Sequence, residues 1–196
     1  MAELRVASSE LILGGQKSGK TRRAELLAAV WLARAESHRA VYIATAQSWD
    51  DEMRERIERH RQDRAVRVPR MATVEEPFEL AQAIARHSRA DTLIVVDCLT
   101  LWLTARLMPA AAAGASAQAA PAPDLIDGNL IRESVQACAG PIVLISNEIG
   151  LGVIPMGRDV RSFVDALGTL NQRAAAGCER VTLMSAGLPL LLKGAA

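Results

Sequence analysis

Near the start of the chain the residues Gly14-Gly15-Gln16-Lys17-Ser18-Gly19-Lys20-Thr21 follow the pattern G-x-x-x-x-G-K-[ST]. Few short patterns restrict a fold so strongly. Successive backbone N–H groups opening onto a helix N-terminus form a cradle of donors at the positive end of the helix dipole, which suits a di- or triphosphate. Glycines let the backbone approach the oxygens closely. The cradle works only as strand, loop, helix. The flanks agree: Leu11-Ile12-Leu13 reads as a buried strand, and Thr21 to Ala29 is rich in helix formers. Gly14, Gly15, Gln16, Lys17, Ser18, Gly19, Lys20 and Thr21 are therefore the expected phosphate site of a P-loop. Lys20 reaches toward the β- and γ-phosphates, and the Thr21 hydroxyl is a ligand for Mg2+.

The rest of the chain repeats the alternation. Apolar, β-branched runs at 40–45, 92–97, 141–146 and 180–185 read as strands, the last of these closing the sheet, with a short strand at 66–71. Helical stretches are expected at 50–64, 73–87, 99–108, 125–139 and 159–175. Asp50 and Asp51 suit the start of the first of these, and Thr73 with Glu76 has capping-box form at the second. Strands alternating with helices predict an α/β fold, a mostly parallel sheet with helices on both faces. All 196 residues fit one catalytic domain, with 1–8 as a loose leader and the Ala/Pro-rich stretch 109–123 as a flexible insert. In such sheets ligands sit at the carboxyl ends of strands.

Several classes are disfavoured. With 23 basic and 22 acidic residues the net charge is +1, so no global field recruits nucleic acid or a membrane surface. The cysteines Cys98, Cys138 and Cys178 are scattered and odd in number, against a disulfide framework or zinc site. No apolar run has the length of a membrane span, and Met1 to Arg5 lacks a long apolar stretch. A cytoplasmic enzyme or switch is the expectation.

Three further stretches carry candidate chemistry. Asp97 ends an apolar strand, where P-loop proteins place an acid that holds Mg2+ opposite the loop threonine; a strand-end turn residue is the plainer reading. In the charged helix, Met53, Ile57 and His60 share a stripe, and His60 borders its buried side among Arg59, Arg61 and Arg64. Such arginines attract phosphate, and a neutral imidazole beside an α-phosphate is a competent nucleophile. An ordinary histidine on a solvated charged helix accounts for the pattern as well. Ser146 to Gly152 forms a glycine-bearing loop at a strand end, and Asn171 lies on the buried stripe of the last helix, where it needs a partner. Asn171 and Gln172 either anchor a ligand or satisfy a core carbonyl. No [NT]-K-x-D motif of guanine-specific switch GTPases is present.

The blocks occur in a telling order: the P-loop, Tyr42-Ile43-Ala44-Thr45-Ala46, Asp50-Asp51-Glu52-Met53, Arg56-Ile57-x-x-His60, Thr73 to Pro77, Asp97 to Leu103, Ser146-Asn147-Glu148-x-Gly150-x-Gly152-x-x-Pro155, Leu170-Asn171-Gln172 and Gly187-Leu188-Pro189. From Ile12 to Lys193 the chain resembles the bifunctional adenosylcobinamide kinase / adenosylcobinamide-phosphate guanylyltransferase family of cobalamin biosynthesis. The resemblance implies a RecA-like P-loop fold, a homotrimer, and GTP, ATP and a corrinoid as substrates. It implies that the corrinoid alcohol is phosphorylated, and that GMP then passes from GTP through a covalent adduct on His60. It also implies that Thr45, Ala46, Gln47, Arg61, Gln62, Asp63, Arg64, Glu75 and Asp97 line the nucleotide site. Other readings are a P-loop kinase without guanylyl transfer, which leaves His60 incidental, and a non-catalytic nucleotide switch.

Overall fold

A computed structural model of the protein describes residues 4–48, 51–107, 128–153 and 155–195. Seven strands form a single sheet in the order β3-β2-β4-β5-β1-β6-β7. They are β1 (Ser9–Gly14), β2 (Arg39–Ala44), β3 (Met71–Glu75), β4 (Thr92–Asp97), β5 (Ile142–Ile145), β6 (Arg180–Ser185) and β7 (Leu188–Lys193). All neighbours are parallel except β7, which runs antiparallel to β6. The described helices are α1 (Lys20–Arg34), α2 (Asp51–Arg67), α3 (Leu80–His87), α4 (Leu99–Leu107), α5 (Gly128–Gln136) and α6 (Arg158–Gly177).

The central strands are apolar along their whole length because both faces are covered. In β1, Leu11 and Leu13 enter one core while Ile12 enters the other, as the two-residue period of a strand requires. The first core joins α3, α4, α5 and α6 to the sheet through Ile84, Leu103, Ile131 and Leu170. The second joins α1 to it through Leu27, Ala28 and Trp31. No described helix is long and apolar enough to cross a membrane.

Three expectations change. The expected strand at 66–71 is instead the end of α2 followed by a turn, and the strand starts at Met71. Helix α2 runs on to Arg67 because its last turns are anchored: Arg64 and Val68 are buried, and Arg67 pairs with Glu25 of α1 at 3.0 Å. Thr73, expected to cap a helix, lies within β3 opposite Tyr42 of β2. The helix begins only at Leu80. Last, Ser185 does not end the sheet: Ala186 and Gly187, both with positive φ, turn the chain into β7. Positive φ at both central residues is the geometry of tight hairpins, and an alanine there carries little turn signal. Asp50 and the 109–123 insert lie outside the described residues.

Glu76 closes the turn ahead of α3 by accepting from the backbone N–H of Glu79 at 3.0 Å and of Phe78 at 3.2 Å. Those bonds, the Glu79 one foremost, hold its carboxyl below the ordinary carboxylate range, with Arg86 adding to them. Because the folded form binds the proton less well, its contribution is present above the ordinary carboxylate pKa and fades as pH falls through the lowered value. Glu76→Ala is therefore expected to lower stability by about 1 kcal/mol at neutral pH. Urea denaturation of variant and parent should converge in acid.

Candidate nucleotide site

The loop after β1 is shaped by contacts that leave room for little else. Gly14 has φ +148°, and a Cβ there would stand 2.5 Å from the Met184 carbonyl oxygen and 2.6 Å from Ser18 Oγ. Gly19, at φ +103°, starts α1 and lies against Gly187 of the β6–β7 turn, whose N–H donates to the Ser18 carbonyl at 3.0 Å. The hairpin absent from the sequence expectation thus braces the loop from behind. Gly15, Gln16 and Lys17 are exposed at its crest, and Lys17 also has positive φ. Gly14→Ala places a side chain where both backbone and space refuse it. It is expected to cost about 3 kcal/mol of stability and most nucleotide affinity, as urea denaturation and equilibrium binding would show.

Lys20 is buried to 8% exposure, and its ammonium donates to the carbonyls of Gly14 at 3.0 Å and Gly15 at 2.6 Å. A cation is thereby held within the cradle itself. Beside it, Thr21 Oγ1 donates to Asp97 Oδ2 at 2.8 Å, although the two are 76 residues apart. Parallel strands bring them together: both follow carboxyl ends, of β1 and of β4, with β5 between. A hydroxyl and a carboxylate beside a phosphate cradle fit Mg2+, which takes one or two protein oxygens and keeps waters and phosphate oxygens for the rest. No cluster of three or more His, Cys, Asp or Glu occurs among the described residues, so a metal cage made wholly of protein is not offered.

Tyr42, read from the sequence as a strand residue and part of a family block, completes this group. Its hydroxyl donates to the same Asp97 oxygen at 2.6 Å. Burial first, then Asp97, pushes the phenol well above its ordinary pKa, so it stays a donor. Arg64 lies over the Tyr42 ring with its guanidinium carbon 3.7 Å from the centroid. Arg64, expected to line the nucleotide, is 5% exposed and packs on this ring. Thr45 is likewise buried, and its hydroxyl is used structurally: it donates to the Cys98 carbonyl at 2.7 Å and accepts from the Cys98 N–H at 2.8 Å. Ala46 and Gln47 follow it, half-buried, and Glu75 is exposed at the end of β3.

His60 lies at the edge of the stripe that runs from half-buried Ile57 to buried Arg64. It is exposed on α2, as are Arg61, Gln62 and Asp63, whereas Met53 and Ile57 are half-buried. Gln62 pairs with Glu58 and Asp63 with Arg67, both within α2. His60 has no hydrogen bond or ion pair among the described residues, and it stands one helical turn before Arg64. Across the loop, the Glu148 N–H donates to the Gly14 carbonyl at 3.2 Å, so the 146–152 segment adjoins the cradle. Asn171 donates to the Asn147 carbonyl at 3.0 Å and so braces that loop, while Gln172 faces out.

Residues 10–192 match the family described as cobinamide kinase / cobinamide phosphate guanyltransferase. The chain belongs to that family. Among its relatives, the bifunctional adenosylcobalamin biosynthesis protein CobP of Pseudomonas aeruginosa is 46% identical over 190 residues, covering 94% of this chain and 97% of that protein. Bifunctional adenosylcobalamin biosynthesis protein CobU of Escherichia coli is 32% identical over 194 residues, with 93% and 98% covered. Its counterpart in Salmonella typhimurium is 32% identical over 187 residues, with the same coverage. In this family member the buried thiols are not candidate nucleophiles. Burial pushes both Cys98, with Asp97 adding to it, and Cys178 up to about 12.

Proposed function

We propose that this protein phosphorylates the terminal hydroxyl of adenosylcobinamide with ATP or GTP, and then transfers GMP from GTP to the phosphate so formed. The Thr21–Asp97 pair beside Lys20 is the observation that carries this reading, since it brings a cation and hard oxygen ligands to one phosphate cradle. In the first reaction the substrate hydroxyl oxygen attacks the γ-phosphorus. The bond to the β-bridging oxygen breaks, the nucleoside diphosphate leaves, and the hydroxyl proton is released. Lys20 and the N–H groups of Gly14 to Thr21 orient the phosphates and neutralise charge that grows on the leaving oxygens. Thr21 and Asp97 are the residues that would hold Mg2+, which would supply further positive charge to the phosphates.

In the second reaction His60 is the proposed nucleophile. An imidazole nitrogen attacks the α-phosphorus of GTP in line with the leaving pyrophosphate, giving a phosphoramidate. An oxygen of adenosylcobinamide phosphate then attacks that phosphorus, the P–N bond breaks, and adenosylcobinamide-GDP leaves with His60 restored. The unencumbered imidazole supports this role, because no internal hydrogen bond has to break first. Arg61, beside it and exposed, suits the incoming phosphates. Gln16, Lys17, Ala46, Gln47, Gln62, Asp63 and Glu75 are the proposed remaining contacts at the rim. A homotrimer in the cytoplasm is part of the same proposal. The edge strand β7, with Leu188, Leu190, Leu191 and Leu192 all exposed, supports association between subunits.

The test is to incubate the protein with Mg2+ and GTP labelled at the α-phosphate, denature it, and measure protein-bound label. Acid-labile, alkali-stable label from the α but not the γ position is the expected result. No label from a protein that binds GTP would remove the guanylyl reaction and leave a kinase or a switch. Phosphorylation of adenosylcobinamide, assayed directly, separates those two.

A further inference from the structure

Tyr42 stands where the phosphate site meets helix α2. Its hydroxyl and that of Thr21 converge on one oxygen, Asp97 Oδ2, at 2.6 and 2.8 Å. Its ring carries the Arg64 guanidinium at 3.7 Å. Arg64 is only 5% exposed, and it makes no ion pair among the described residues. Its Nε and Nη2 donate to Thr73 Oγ1 at 3.3 and 3.2 Å. A buried cation needs nearby negative potential. Here an aromatic face supplies part of it, and the Asp97 carboxylate supplies more from the far side of the same residue. Arg64, Tyr42, Asp97 and Thr21 thus form an unbroken line from α2 to the P-loop.

We propose that Tyr42 is a positioning residue that fixes the Asp97 carboxylate for the metal–nucleotide complex, and that Arg64 holds Tyr42 in place. The seating of α2, which carries His60, and the setting of Asp97 then depend on each other. The inference rests on the reading of Thr21 and Asp97 as the metal ligands, and on no step of either reaction. A carboxylate tied through one oxygen to a rigid, buried phenol loses rotational freedom and keeps its other oxygen available. Outer hydrogen-bond partners of this kind commonly change metal affinity by 10- to 100-fold. Phenylalanine at position 42 keeps the ring under Arg64 and removes only the tie to Asp97. Methionine at position 64 keeps much of the bulk and removes the planar cation over the ring.

The experiment titrates Mg2+ into full-length protein with a fluorescent GTP analogue whose phosphate bridges cannot be cleaved, and reads the midpoint of metal-dependent nucleotide binding. Hydrogen exchange across α2 is followed in parallel. Tyr42→Phe is expected to raise the midpoint about tenfold. Arg64→Met is expected to raise it by a smaller factor and to lower the protection of α2. A merely structural role would loosen α2 and leave the midpoint alone. A folded Tyr42→Phe variant with the parent midpoint overturns the positioning role, and Arg64→Met with loosened α2 and the parent midpoint overturns the coupling. Should Tyr42→Phe fail to fold, the Arg64→Met midpoint decides. Because the readout is binding without turnover, absence of α-label on the protein would overturn guanylyl transfer and leave this result standing.

Discussion

His60→Ala is expected to abolish labelling of the protein by α-labelled GTP, and with it formation of adenosylcobinamide-GDP, while most of the kinase rate survives. The asymmetry follows from position. His60 is exposed, makes no internal hydrogen bond or ion pair among the described residues, and precedes the anchored turn of α2 that ends in Arg64 and Arg67. Removing its imidazole exposes no buried group and opens no cavity, so the fold and the P-loop should be undisturbed. Loss of a covalent nucleophile removes the only route to the phosphoramidate, so the loss should be complete within detection. In the proposed mechanism the γ-phosphoryl transfer needs Lys20, Thr21 and Asp97 but no imidazole. Equal loss of both activities in a folded variant would contradict this division of labour. Parallel assays of phosphorylated and guanylylated product settle it.

Lys20→Met is expected to reduce both reactions, each by about 100- to 1,000-fold in kcat, the scale on which a single donor to a developing anion acts. In the proposed mechanism both reactions expel a phosphate-bearing group from a nucleoside triphosphate seated in this loop, and Lys20 is the cation lodged there. Methionine matches the stem of the side chain, which packs at 8% exposure, so burial of the aliphatic part is kept. What disappears is the charge, together with its bonds to the carbonyls of Gly14 and Gly15. Steady-state rates at saturating nucleotide separate the charge effect from weakened binding. A variant that lost one activity alone would show that the two reactions do not share this phosphate site.

These two substitutions sit at opposite ends of what can be read without coordinates. The P-loop was legible to the residue because its function is carried by backbone geometry that only particular residues permit in a fixed local order. Strands β1, β2, β4, β5 and β6 were legible for a related reason: fully buried parallel strands are runs of apolar residues, and such runs are local. Edge strands escape that logic. In β3 only Met71 is buried, and β7 is exposed along its length, so neither shows the pattern that sheet burial imprints. The capping role was misassigned for the same reason, because Thr73 and Glu76 satisfy a local motif that β-pairing to β2 overrides.

At the site, the sequence by itself determined the strand–loop–helix frame of Gly14 to Thr21, the strand-end position of Asp97 and, through the order of its blocks, the family. Tertiary structure alone decided the rest. It turned Arg64 inward onto Tyr42, used the Thr45 hydroxyl to tie β2 to the segment after β4, left His60 in solvent, and set Gly187 behind the phosphate loop. The contacts among these join residues distant in the chain, and all four features depend on strand order and helix facing. A local motif records what the backbone must do in one place, whereas the direction of a side chain is fixed by what the folded sheet brings against it.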